Sequence, residues 1–121
     1  MDATTYTITK TGEGTVALAG ANTYTGDTKV EAGTLGLAGS STLPDGASLW
    51  IASGAKVDLA AGVNETVTNL YLNAELAYIG TWGSTSSAAD HRNNAYFSGT
   101  GILTVLAGPV GADTGTLLIV R

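Results

Sequence analysis

The sequence predicts an all-β chain coiled as a β-solenoid, and three observations carry that prediction. Gly14-Thr-Val-Ala-Leu-Ala-Gly20 recurs nineteen positions later as Gly33-Thr-Leu-Gly-Leu-Ala-Gly39, and Ala55-Lys-Val-Asp-Leu-Ala-Ala-Gly62 follows after a step of 22. Within each copy two apolar residues (Val16 and Leu18, Leu35 and Leu37, Val57 and Leu59) alternate with small or polar ones, the period of two expected of a strand with one buried face. No window shows a helical stripe. Each unit of about 20 residues holds two short strands and cannot bury its own apolar face, so successive units must stack.

A second series supplies the other face of the coil. Thr28-Lys-Val-Glu-Ala, Ala47-Ser-Leu-Trp-Ile and Val67-Thr-Asn-Leu-Tyr-Leu fall between copies of the first, with Leu49 and Ile51 flanking Trp50 and Leu70 and Leu72 flanking Tyr71. The predicted core is therefore Val16, Leu18, Val30, Leu35, Leu37, Leu49, Ile51, Val57, Leu59, Leu70 and Leu72. The connection Asn22-Thr-Tyr-Thr-Gly-Asp-Thr28 is too long for a hairpin, but it suits a corner that carries the chain to the next face. Gly20, Gly26 and Gly33 are placed at the corners, where φ can turn positive. A degenerate copy, Gly101-Ile-Leu-Thr-Val-Leu-Ala-Gly108, comes late in the chain. With this step the 121 residues form one segment of about four to six rungs.

Composition excludes several function classes. Ten acidic and five basic residues give a net charge of −5, with Lys10, Lys29, Lys56, Arg92 and Arg121 scattered singly. Neither a nucleic-acid backbone nor an anionic membrane surface is matched by such a chain. There is no cysteine, hence no disulfide framework and no thiolate metal site. No run is long and apolar enough to span a membrane, and MDATTYTITK lacks the regions of a signal peptide. Either the protein stays inside the cell or the chain is a segment excised from a longer protein with its targeting parts removed, and excision is the expectation.

Residues 12 to 35 closely resemble the autotransporter-associated β-strand repeat, also called the passenger-associated transport repeat. The resemblance rests on Gly14-Thr15, Leu18, Asn22-Thr23-Tyr24, Gly26, Thr28, Val30 and Gly33-Thr34-Leu35, within a best-matched stretch of residues 12–39. Residues 80–105, from Gly80-Thr-Trp-Gly to Tyr96-Phe-Ser-Gly-Thr-Gly-Ile-Leu-Thr-Val105, look like the closing segment that often follows such repeats. The resemblance implies a right-handed parallel β-helix in a secreted or surface-exposed bacterial passenger. There the repeat is associated with secretion and with a rigid stalk, adhesin or fibre rather than with catalysis.

Candidate sites are few. His91 is the only histidine and lacks a second ligand at short spacing, so it is expected in a solvated loop. Asp45, Asp58 and Glu75 are the carboxylates that stacking could bring together for acid–base work on a sugar; strand-borne acids facing solvent are the simpler expectation. No catalytic residue, cofactor or metal ligand is assigned. Tyr24, Trp50 and Tyr71 are the candidate ligand-facing aromatics, suited to surface carbohydrate, and a carbohydrate-binding or carbohydrate-cleaving β-helix is the alternative reading. The threonines do not form the two-per-rung plane of an ice-binding solenoid. Trp82 is expected to plug the solenoid end. In the terminal strand, residues 109–121, Leu117, Leu118, Ile119 and Val120 make an adhesive edge, expected either to close the rod or to pair head to tail with another copy.

Overall fold

The computed structural model of the chain describes residues 7–18, 26–39 and 46–109. The described residues are all-β: they form short strands in three sheets and no helix. The first sheet orders β1 (Ile8–Lys10), β3 (Thr28–Val30), β5 (Ser48–Ile51), β8 (Asn69–Leu72) and β9 (Glu75–Leu76). The second orders β2 (Thr15–Leu18), β4 (Thr34–Leu37), β6 (Lys56–Leu59) and β12 (Phe97–Ser98). The third orders β7 (Asn64–Val67), β13 (Ile102–Val105), β10 (Gly80–Gly83) and β11 (His91–Arg92).

From β1 to β6 the chain alternates strand by strand between the first two sheets, and every pairing among these six strands is parallel. Ile8 lies opposite Thr28, Thr28 opposite Leu49 and Leu49 opposite Leu70, steps of 20, 21 and 21 residues. In the second sheet Thr15 lies opposite Thr34 and Thr34 opposite Lys56, steps of 19 and 22. The sequence repeat is thus the rung spacing. Because this step returns each residue to the same face, like sits over like: Leu35 pairs with Val57, Leu37 with Leu59 and Leu49 with Leu70. These side chains and Ile51 are at most 1% exposed, and burial of each stabilises by about 1.5–3 kcal/mol.

Val30 is buried in the same cluster, while Leu18 and Leu72 are partly buried and packed against it. Val16 departs from the expectation of a core residue, since it is 48% exposed. Among the described residues its strand, β2, ends its sheet and has β4 on one side only, so no further described strand covers it. Of the predicted corners, Gly33 has φ +70°, and a Cβ there would collide with the carbonyl oxygens of Gly12 and Gly14. Gly26 is buried just before β3, and Gly20 lies outside the described residues.

Beyond β8 the strand pairing is mixed rather than all parallel. After β8 the chain reverses through Asn73 and Ala74, at φ 51° and 69°, and β9 pairs antiparallel with β8. Two consecutive positive φ values suit a two-residue hairpin turn whose twist matches its strands. β10 and β13 are antiparallel as well. The closing segment reaches far back along the chain, with Phe97 opposite Val57 and Leu103 opposite Glu65.

Candidate functional site

Three places gather chemically capable side chains. The first is a row across the first sheet, where the register sets Lys29 beside Trp50 and Trp50 beside Tyr71. All three occupy the middle of a strand, on the face opposite the buried row. The Trp50 and Tyr71 rings stack with centroids 3.8 Å apart and planes 9° from parallel, and the Lys29 ammonium lies 5.4 Å from the Trp50 ring centre. An open cleft of about 250 Å³ beside this row is lined by Lys29, Glu31, Trp50, Ile51, Asn73 and Ala74 among others.

This arrangement alters what the aromatics can do. A sugar ring stacks on an exposed π face, but Trp50 gives one face to Tyr71 and takes the Lys29 ammonium over its ring. Trp50 Nε1 is buried and has no hydrogen-bond partner among the described residues, and its burial keeps it from being presented to a ligand. The row is a cross-rung ladder of stacked groups, of the kind that stabilises paired strands. Tyr24 lies outside the described residues.

The second place is the corner at Lys10. This side chain is 6% exposed, yet its ammonium faces three carbonyl oxygens: Thr11 at 2.8 Å, Gly12 at 2.7 Å and Ala32 at 3.2 Å. Three N–H donors meet three acceptors, which offsets the cost of taking the charge out of water. Lys10 therefore clamps the Thr11–Gly12 corner to the Ala32–Gly33 corner of the next rung. Sequence reading passed over it as one scattered cation. The available signal was its position in the pair Ile8, Lys10, which alternates in phase with Thr28 and Val30 one rung on.

The third place is the closing segment. Trp82 stacks on His91 with centroids 4.6 Å apart and lies against Phe97 at 6.3 Å. Its Nε1 donates to Tyr78 O at 2.9 Å. His91 is half-buried, with a ring nitrogen 3.1 Å from Ile79 O, so the expected solvated loop is corrected: His91 is part of β11 and of the aromatic cluster. Trp82 is buried with Phe97 in the main core.

The carboxylates are dispersed. Asp58, on β6 of the second sheet, accepts a hydrogen bond from Ser98 Oγ at 2.9 Å. Glu75 is exposed on β9 of the first sheet, and Asp45 lies outside the described residues. Glu65 escaped sequence reading altogether. It is fully buried, because the alternation Val63, Glu65, Val67 turns it inward with two valines, a phase visible in the sequence. Among the described residues no group of three or more His, Cys, Asp and Glu could hold a metal ion.

Comparison with known proteins finds a similarity over the first four strands. Residues 8–37 match the family model of the passenger-associated-transport-repeat. No curated protein and no solved structure matches the chain. The match spans β1 to β4, which includes the Lys10 clamp and Gly33. A repeat of exported passengers indicates a secreted or surface location and a structural rather than a catalytic role. Among the described residues no helix is long and apolar enough to cross a membrane.

Proposed function

We propose that this chain is a non-catalytic, rigid module of a bacterial passenger, wound as a right-handed parallel β-helix and serving as part of a stalk, adhesin or fibre. The observation that carries this reading is the coincidence of the passenger-associated-transport-repeat over residues 8–37 with the strand-by-strand alternation between two parallel sheets. The handedness follows from the strong preference of parallel crossovers for the right-handed path. Rigidity follows from the shared column: bending between rungs would separate Leu37 from Leu59 and Leu49 from Leu70, and would lose dispersion contacts that interiors hold near crystal density.

The structural reading is favoured over the carbohydrate one because Trp50 and Tyr71 each give one face to the other and Trp50 also carries the Lys29 ammonium over its ring. The test is a panel of bacterial and host-surface polysaccharides, scored by calorimetry for binding and by mass spectrometry for cleavage. No binding tighter than millimolar and no product are expected. Saturable binding abolished by Trp50→Ala, or any cleavage, would overturn the reading. Handedness is checked by an experimental structure of the chain.

A further inference from the structure

At the end of the first sheet lies an apolar groove. β9 is the last strand of that described sheet, following β8, and its surroundings are unusually apolar for an edge: Leu76 is 41% and Tyr78 39% exposed. With Leu72, Glu75, Ala77 and Trp82 they line an open groove of about 400 Å³. Edge strands of this kind invite another strand unless something covers them.

The described chain leaves beside this groove. Pro109 O accepts a hydrogen bond from Ile79 N at 3.0 Å, and Gly108 approaches Ala77 O so closely that a Cβ would collide with it. The described chain thus ends at Pro109 against Ile79 and beside one groove residue, Ala77. Residues 110–121 hold the run Leu117, Leu118, Ile119 and Val120, and Arg121 is their only cation; Glu75 is the only charged residue lining the groove. Six residues of extended chain reach about 20 Å, enough to turn back along β9.

We propose that residues 110–121 dock in cis on the edge of β9, laying the apolar stretch Thr116–Val120 over Leu72, Leu76, Tyr78 and Trp82, so that the chain covers this edge with its own end. Pairing of the backbone along β9 and alternate side chains entering the groove is the physics of strand addition. A tether this short gives an effective concentration of about millimolar. Another copy at micromolar concentration competes poorly with it, which sets this arrangement against head-to-tail pairing through the same residues.

Because the chain has no cysteine, Leu118→Cys carries a spin label at one place. In ¹⁵N-labelled protein the label should broaden the Leu76 and Tyr78 amide signals, and the broadening should persist after about tenfold dilution with unlabelled, untagged chain. Broadening that fades on dilution and appears in untagged ¹⁵N chain mixed with tagged chain would mean pairing between copies and would overturn the proposal. Broadening at neither site in either sample would overturn it as well. Tyr78→Lys should raise hydrogen exchange at Leu117–Val120 by about 100-fold while leaving the Phe97 amide protected; unchanged exchange with the fold retained also contradicts cis docking. Should that variant not fold, the spin-label experiment decides alone.

Discussion

The winding region, β1 to β8, and the closing region, from Asn73 to Pro109, bury apolar surface by different routes. In the winding region every strand except β7 finds a partner about one repeat away, and the same face is rebuilt rung after rung. In the closing region partners come from far back, with Phe97 beside Val57 and Ile102 beside Asn64, and two pairings run antiparallel. A periodic region needs only shape compatibility between copies, and tolerates an exposed Val16 at its end. An aperiodic region must have particular side chains at particular places. The difference teaches that the repeat determines the rung while single residues determine where the coil stops.

The strongest way to break this contrast is Phe97→Ala. Phe97 is fully buried between β6 and Trp82, and its removal should cost about 4 kcal/mol in denaturant unfolding, whereas Val16→Thr in the winding region should change stability by less than about 0.5 kcal/mol. Similar losses at both would show that the closing region is no more demanding than the coil's end.

Gly33→Ala should follow at about 3 kcal/mol, since it combines left-handed strain with collision against Gly12 and Gly14 backbone. Gly54, at φ +88° with open space around it, separates the two terms: Gly54→Ala should cost only about 1 kcal/mol. If the two variants unfold at the same denaturant concentration, crowding at the Gly33 corner has no energetic role.

Lys10→Met keeps the length of the side chain but leaves the Thr11, Gly12 and Ala32 carbonyls without the ammonium. A loss of about 2 kcal/mol is expected, with faster hydrogen exchange at β1 and β2 than at β6. A neutral outcome would mean water replaces the clamp.

Smallest and opposite in sign is Ala74→Gly. Ala74 sits at φ 69° in the β8–β9 turn, a conformation that suits Asn-Gly far better than Asn-Ala. The substitution should raise stability by about 0.5–1 kcal/mol, read as a higher melting temperature. A lower one would show that the Ala74 methyl, beside the Lys29 cleft, contributes packing worth more than the strain.

How much of this was legible beforehand follows from the same contrast. The rung step, the alternation and the cores of β4, β5 and β6 could be read because periodicity repeats the signal: Leu35, Leu49 and Val57 each have a counterpart one step away. The antiparallel turn at Asn73 could not, because nothing repeats it and Asn-Ala is a poor hairpin signature. His91 was misplaced because its partner Trp82 is joined to it through β10–β11 pairing, a contact with no local pattern. Lys10 and Glu65 were missed for one reason: a charged residue in the phase of a buried row was read by its charge rather than by its phase.

The ladder of Trp50 over Tyr71 carries an optical consequence. Two aromatic transitions held 3.8 Å apart in nearly parallel planes couple strongly, so the near-ultraviolet circular dichroism should contain an exciton pair and the Tyr71 emission should drain into Trp50. A slip of one residue between β5 and β8 would send the rings to opposite sides of the sheet and extinguish the exciton pair. The protein thereby carries a built-in spectroscopic gauge of its own strand alignment, readable without any label.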